Sequence, residues 1–412
     1  MTRPSVDTGL APAAAAAAKR KALVLPGAGA RGAYQVGVLK ALAKLLPRPA
    51  ENPFQIIAGT SAGAINGAVL ASRADHFANA VAEMEQVWGS FDASQVFRTD
   101  PWTMLKSSLH WFAAIVLGGL GVRNPKSLLD NTPLRELLVQ RIPRGAITRA
   151  IMRGHLDALA VTASAYTSAR SVTFYQTRLR IEPWERVRRV GLPARISVEH
   201  LLASAAVPFV FPPVRLGGEY YGDGSMRHPA PLSAAIHLGA DRLLVIGVRD
   251  ERPEPAPAAD IEPEFPSFGH LAGYMLDTLF LDGLYADLER LTRINLILGE
   301  VGTERIRSAV HDLRPIESLV IVPKVDLRQV AAEYVHELPR PVRALLNGVG
   351  AFSRGGMQLV SYLLFESGFT RELIAMGYRD AMAMEHELLA FLHDEPMTRL
   401  DAPAYLKERL EH

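Results

Sequence analysis

The sequence reads as an α/β protein, a three-layer α/β/α sandwich around a mainly parallel sheet, followed by a mostly helical C-terminal part. Two observations carry that expectation. Apolar runs of strand length alternate with helix-forming stretches over residues 21–72, and the alternation returns near 196–248. In the first two units a glycine-rich turn joins strand to helix, which puts both turns at the carboxyl ends of strands, where open α/β sheets bind ligands. A chain of 412 residues that is 49% hydrophobic can bury one large core or two.

The first unit is Lys21-Ala22-Leu23-Val24-Leu25, then Pro26-Gly27-Ala28-Gly29-Ala30-Arg31-Gly32, then an amphipathic helix expected over 33–46. Gly27, Gly29 and Gly32 satisfy a dinucleotide-binding spacing, in which a pyrophosphate rests on the helix N-terminus. The rest of that fingerprint is missing. The next strand closes on Ala58-Gly59-Thr60-Ser61 rather than on a ribose-binding Asp or Glu, and no Gly-Lys-Ser/Thr makes a phosphate loop. The better reading is an oxyanion hole for the charge that develops in acyl transfer. Its donors would be the backbone N–H groups of Gly27, Ala28, Gly29, Ala30, Arg31 and Gly32, with the Arg31 side chain beside them.

The second unit carries the apolar run Phe54-Gln55-Ile56-Ile57-Ala58, the turn Gly59-Thr60-Ser61-Ala62-Gly63 and a helix-forming stretch from Ala64 to Leu70. A serine on so sharp a bend needs neighbours without Cβ atoms, so that its Oγ stands clear of the backbone. The spacing alone is weak, but the strand-to-helix context makes Ser61 a candidate nucleophile within an elbow of Gly59, Thr60, Ala62 and Gly63. A third stretch, Tyr220-Tyr221-Gly222-Asp223-Gly224-Ser225, reads by itself as an ordinary Asp-Gly turn.

Together the three stretches resemble the patatin-like phospholipase family, whose pattern is a glycine-rich loop ending in Arg-Gly, a GxSxG elbow soon after, and a downstream Asp-Gly-Gly or Asp-Gly-Ser/Ala. The likeness extends to Leu201-Leu202-Ala203-Ser204-Ala205-Ala206-Val207-Pro208 and to Gly239-Ala240-Asp241 with the strand after it, covering residues 21–250. Two positions depart from the commoner pattern, Ala28 in place of a third glycine and Ser225 in place of a glycine. The resemblance implies a Ser61–Asp223 dyad acting on phospholipid, lysophospholipid or another acyl-ester lipid, without cofactor, through an acyl-enzyme. A Ser-His-Asp hydrolase with His228, His237 or His311 as base keeps a known chain order and stays open. A catalytically silent lipid-binding protein of the same fold stays open too.

Composition narrows the partners. With 45 basic against 43 acidic residues the chain lacks a polyanion-binding signature, so nucleic acid is not expected. Arg178, Arg180, Arg186, Arg188, Arg189 and Arg195 cluster and read as a solvated face, with attraction to anionic headgroups as the functional alternative. No cysteine is present, which removes disulfides and thiolate metal sites and suits a reducing cytosol. No His-Glu-x-x-His pair occurs, and His386 between two glutamates reads as part of a charged helical face, so no metal is expected.

Residues 1–20 read as a disordered arm rather than a secretory signal, because alanines and Pro12 precede the basic Lys19-Arg20-Lys21. The longest apolar stretch, 109–122, is too short to span a bilayer and reads either as a core helix or as an interfacial lid. A cytoplasmic protein, at most peripheral to a membrane, is therefore expected. Repeated prolines mark 251–268 as a linker closing a catalytic domain over 21–250. Beyond it, 269–412 reads as a helical extension packing on that domain, with a strand near 319–323 continuing the sheet. Tyr362, Leu363, Leu364 and Phe365 read as core.

Overall fold

The computed structural model describes residues 19–100, 102, 127–227, 230–249, 265, 267–301, 313–353 and 356–397. Most of the N-terminal arm, the stretch 109–122, most of the proline-rich linker, His228 and His311 lie outside the described residues.

The chain enters through β1 (Lys21–Leu25), a 3-10 turn (Gly29–Arg31) and α1 (Gly32–Leu45), and repeats the unit with β2 (Ile56–Thr60) and α2 (Ala62–Ser72). Helices α3 (Phe77–Gly89), α4 (Thr132–Arg141) and α5 (Ala146–Met152) lead to β3 (Ala158–Ala165), β4 (Ser171–Thr177) and the edge strands β5 (Trp184–Arg186) and β6 (Arg189–Pro193). Then come α6 (Val198–Ser204), β7 (Val214–Leu216), β8 (Glu219–Asp223), α7 (Ser233–His237) and β9 (Arg242–Ile246). Past the proline-rich segment follow α8 (Phe268–Val301), β10 (Glu317–Ile321), α9 (Leu327–Tyr334) and α10 (Arg340–Gly348). The last helices are α11 (Met357–Leu363), α12 (Ser367–Met382) and α13 (Glu385–Leu392).

One sheet holds the strands in the order β10-β9-β1-β2-β3-β4-β6-β5, with β8 pairing to β3 and β7 to β8. From β10 to β3 all neighbours are parallel, and β4 and β8 run antiparallel to β3. Side chains alternate between two cores: Leu23, Leu25 and Ile57 face one, Ala22, Val24 and Ile56 the other. Burial on both faces is why these strands appear in the sequence as unbroken apolar runs. The chain leaves β1 toward β2 on one side and returns to β9 on the other, so the loop after β1 opens at a topological switch point.

The second strand begins at Ile56 rather than at Phe54. Asn52 closes a local turn instead, its Oδ1 accepting the Phe54 N–H at 3.2 Å and its Nδ2 donating to the Phe54 carbonyl at 2.8 Å. The sheet does continue past the linker, since β10 pairs in parallel with β9. Arg242, fully buried on β9, ties this edge together: Nε donates to Glu317 at 2.6 Å and Nη1 to the carbonyls of Ala390 and Phe391 at 3.0 and 3.1 Å. Among the described residues no helix is long and apolar enough to cross a membrane.

Helices α1 and α12 pack backbone to backbone. A Cβ on Gly37 would lie 2.1 Å from the Ile374 carbonyl oxygen, and one on Gly377 would lie 2.2 Å from that of Tyr34. No side chain of the partner can yield, because backbone fills the space. Gly37→Ala and Gly377→Ala are each expected to destabilise the protein by about 1–3 kcal/mol through overpacking, although alanine is the better helix former by about 1 kcal/mol. Urea unfolding checks this; an unchanged midpoint would contradict the packing.

Candidate active site

Ser61 sits between the last residue of β2 and the first of α2, with φ 54° and ψ −128°. That backbone is unusual for a residue with a Cβ and costs of order 1–3 kcal/mol, so the surroundings must enforce it. They do so from both sides. A Cβ on Gly59 would lie 2.6 Å from the Ala64 Cα, and one on Gly63 would lie 2.1 Å from the Leu25 carbonyl oxygen. The Ser61 N–H donates to Ser204 Oγ at 2.8 Å, and Ser204 in turn donates to the Thr162 carbonyl at 2.6 Å. The ends of β2, β3 and α6 are thus linked through one buried hydroxyl.

Asp223 ends β8, whose antiparallel register sets it opposite Ala163 of β3. Its N–H donates to the Ala206 carbonyl at 2.8 Å. The next residue, Gly224, lies so near the Thr162 carbonyl oxygen that a Cβ would stand 2.1 Å away, which draws the strand end against the Ser61 turn. The carboxylate is 1% exposed. Oδ1 accepts the Ser225 N–H at 2.9 Å, while Oδ2 is left without a well-aligned partner among the described residues. Burial pushes the carboxyl up to about 6, and the hydroxyl of Ser61 with the N–H and hydroxyl of Ser225 acts against that rise. The two residues paired from sequence therefore meet.

The glycine-rich loop turns back on itself. The Arg31 N–H donates to the Ala28 carbonyl at 3.1 Å, and the Gly32 N–H to the Gly29 carbonyl. The first N–H groups of such a turn, those of Ala28, Gly29 and Ala30, have no partner within it. Gly29 holds φ +53° and lies so close to the Tyr362 carbonyl that a Cβ would be 2.6 Å from its oxygen. The Arg31 side chain does not stand beside these amides as expected. It is 1% exposed and points to α11, where Nε and Nη2 donate to Ser361 Oγ at 3.1 and 2.6 Å and the guanidinium lies 4.1 Å from the Tyr362 ring centre. Burial lowers its pKa, opposed by Tyr362 and Asp326.

A largely apolar cavity of about 100 Å³ opens beside Ser61 and Gly29 and runs between α2, α3 and α4. Tyr362, Leu364 and Phe365 are buried in the main core as expected, with Leu363 packed against it, and Tyr362, Leu363 and Phe365 also form part of the cavity wall together with Leu276 of α8.

The family model for patatin-like phospholipases matches residues 23–236, a little over half of the chain. The chain belongs to the patatin-like phospholipase family. Membership supports lipid acyl hydrolysis in general. Among curated proteins none matches. Similar solved structures include VipD from Legionella pneumophila, at 13% identity over 90% of this chain and 67% of that one, TM-score 0.35, and the heterodimeric ExoU–SpcU complex from the type III secretion system of Pseudomonas aeruginosa, at 15% identity over 96% and 83%, TM-score 0.28.

Of the three histidines considered as alternative bases, His237 is the one among the described residues. His237 lies at the end of α7, its Nδ1 2.7 Å from the Ser233 carbonyl oxygen and its ring stacked 4.9 Å from Trp184, a side chain that packs against the second core. Among the described residues no group of three His, Asp or Glu could hold a metal ion. Of the arginine cluster, Arg178 pairs with Asp157 at 2.6 Å, while Arg180, Arg186, Arg188 and Arg195 are exposed. Sequence reasoning missed Ser204 and Ser361. Ser204 stood inside the quoted Leu201–Pro208 segment, but a hydroxyl that holds a backbone N–H has no signature of its own.

The Asp223 pKa makes a stability prediction. A folded pKa raised above the reference of 3.8 means that the folded state favours the proton. The stabilising contribution is full below about pH 4 and is lost as pH rises through about 6. At pH 8 Asp223→Asn is therefore expected to be more stable than the wild type, by up to about 3 kcal/mol. Thermal melts at pH 8 and pH 5 check this, the gain shrinking at the lower pH.

Proposed function

We propose that the protein is a serine acyl hydrolase that cleaves fatty-acyl esters of phospholipids or lysophospholipids through a Ser61–Asp223 dyad and an acyl-enzyme. The single observation that carries this reading is the buried Asp223 carboxylate, one oxygen unpaired, next to a serine held on a strained strand-to-helix turn. Family membership supports the reaction class.

In this mechanism the Ser61 hydroxyl attacks the ester carbonyl carbon while Asp223 takes the hydroxyl proton. A carboxylate at its reference pKa is a feeble base toward a serine, and desolvation that moves the pKa toward neutrality improves the match. The tetrahedral oxyanion accepts hydrogen bonds from the Ala28, Gly29 and Ala30 N–H groups, at the start of a turn whose Gly29 lines the cavity beside Ser61. The alcohol leaves with the proton held by Asp223. Water then attacks the acyl-Ser61 carbonyl, giving a proton to Asp223, and as the tetrahedral intermediate collapses Asp223 returns that proton to the departing Ser61 Oγ, which releases the fatty acid and restores the dyad.

Arg31 acts on this site at one remove, by tying the loop to α11 through Ser361 and Tyr362. The C-terminal helices are in that sense an extension packed on a catalytic domain and needed by it. A cytoplasmic protein that works at a membrane surface fits an exposed apolar stripe on α8. Phe268, Leu271 and Met275, at helical spacing, are 69%, 49% and 60% exposed, one residue before the cavity-lining Leu276.

Three variants test the reading. Ser61→Ala is expected to abolish ester hydrolysis and labelling by a fluorophosphonate probe while the melt stays cooperative; peptide mapping of a label elsewhere would refute the assignment. Asp223→Asn should lower kcat by about 10⁴, by analogy with loss of the carboxylate from a serine triad. In the wild type kcat/KM should fall about tenfold per pH unit below roughly pH 6, because the base must be ionised. A flat profile down to pH 4 would exclude Asp223 as that base. Gly29→Val should cut kcat by about 10²–10³ through displaced N–H donors, measured on a short soluble ester; a loss confined to KM would contradict an oxyanion role.

A further inference from the structure

Strand register places three turns at the edge of the sheet that carries Ser61 and Asp223. Asp223 of β8 is opposite Ala163 of β3, Ala163 opposite Val172 of β4, and Val172 opposite Val190 of β6, a span of three strand spacings or about 14 Å. One residue nearer the edge, Arg189 of β6 pairs with Arg186 of β5. The two-residue turn between them, Val187-Arg188, is therefore a tip of this edge. So are the β3–β4 turn at 166–170 and the β7–β8 turn at Gly217-Gly218.

Backbone strain gathers at the same edge. Among the described residues five other than glycine hold positive φ, and four of them, Ser61, Ala169, Arg188 and Phe209, belong to it. Ser61 has its place in the elbow. Arg188 and Phe209, at φ 61° and 64°, stand where glycine or asparagine would sit with less strain. Burial does not account for them, because Phe209 is 64% exposed and Val187, beside Arg188, is 90% exposed. Phe209 lies between Val207 and Val210, which line the cavity beside Ser61. Tyr166 and Tyr220, both exposed, stand side by side, the Tyr166 N–H donating to the Tyr220 carbonyl at 3.0 Å. Exposed aromatic and aliphatic tips are poorly placed in water and well placed where an apolar layer meets a polar one.

Charge surrounds these tips. Arg170 is paired with Glu185 at 2.7 Å, and Glu219 accepts the Ser168 N–H at 2.6 Å. Arg186, Arg188 and Arg215 are exposed; Arg186 donates to the Glu185 carbonyl at 3.0 Å and Arg215 to that of Gly217 at 3.3 Å, bonds that neutralise neither cation. Guanidinium groups match phosphate oxygens in pairs, and apolar tips among them favour a lipid surface over a nucleic acid.

We infer that the turns at this edge are a docking face for an anionic lipid bilayer, with Val187, Phe209 and Tyr220 entering the headgroup boundary and Arg186, Arg188 and Arg215 binding lipid phosphates. This face rests on the reading of the protein as one that works at a membrane, and it adds a preference for negative charge that the apolar stripe of α8 cannot give. Docked in this way, the edge bearing Ser61 is turned toward the lipid.

Sedimentation with vesicles, using the Ser61→Ala protein, separates docking from hydrolysis. Binding to phosphatidylcholine vesicles is expected to tighten at least tenfold when phosphatidylserine is included, and the gain to vanish as salt rises from about 0.1 M to about 0.5 M. Arg186→Gln/Arg188→Gln in that background should weaken binding to the anionic vesicles at least tenfold and leave binding to pure phosphatidylcholine alone. Val187→Asp should also weaken anionic binding at least tenfold, and covers a double variant that does not fold. Arg48→Gln/Arg153→Gln removes the same charge from exposed positions ahead of β2 and β3, at the opposite edge, and is the control expected to change neither. With Ser61 intact, the Arg186→Gln/Arg188→Gln protein should hydrolyse p-nitrophenyl butyrate at the wild-type rate. Equal binding to both vesicles by the Ser61→Ala protein, or unchanged anionic binding in a folded Arg186→Gln/Arg188→Gln or Val187→Asp protein, overturns the docking face. Charge-dependent binding that these variants lose, in a wild type inert toward every ester, supports the face and overturns Ser61 as nucleophile.

Discussion

The close approach of the Ser61 turn to the end of β1 governs the rest of the site. With no Cβ at position 63, the first turn of α2 lies directly on the carbonyls of Leu25 and Pro26. Two loops from adjacent parallel strands are thereby held at one fixed separation. Parallel pairing supplies the coarse register, Ala22 to Ile56 through Leu25 to Gly59, and the glycine contact removes the remaining freedom. A catalytic arrangement that must be held to a fraction of an ångström is better placed on strand ends fixed by backbone contact than on side chains that rotate.

The glycine-rich loop needs a second restraint, because a loop of small residues has little surface of its own to bury. Arg31 provides it at an energetic disadvantage. Among the described residues no salt bridge is found for this buried guanidinium, which is satisfied by the Ser361 hydroxyl and the Tyr362 ring and phenol. A cation taken out of water is tolerable only when its donors are filled and its charge meets polarisable or oppositely charged neighbours. Both conditions come from α11, a helix more than three hundred residues away in sequence. The C-terminal part is thus bound to the site physically, and the α1–α12 glycine contact holds the same two regions together from the far side of α1.

These dependencies explain what was legible beforehand. The α/β class and the two strand–turn–helix units were readable, since each rests on local pattern, apolar runs with glycine-rich turns; the pairing of Ser61 with Asp223, far apart in the chain, came only from the family resemblance. The course of Arg31 was not, because an arginine next to amides looks the same whether it points toward them or away. Ser361 and Tyr362 carried no pattern tying them to position 31. The cavity wall was equally hidden. Ile65, Val69, Val87 and Leu138 have the helical spacing of core residues, and only the arrangement of three helices decides whether the space between them is filled.

Asp223 shows why the apolar character of the site and its chemistry belong together. The carboxylate is buried at the end of β8, so desolvation destabilises its ionised form and its pKa rises to about 6 against the opposing hydrogen bonds from Ser61 and Ser225. Had Oδ2 received a backbone N–H or an arginine, the pKa would have fallen instead, and the carboxylate would be a weaker base. The same absence of polar groups leaves the adjoining cavity open to hydrocarbon. One physical condition, exclusion of water without full replacement of its hydrogen bonds, thus costs the folded state stability at neutral pH, strengthens the proposed base, and favours an alkyl chain over a headgroup in the space next to Ser61.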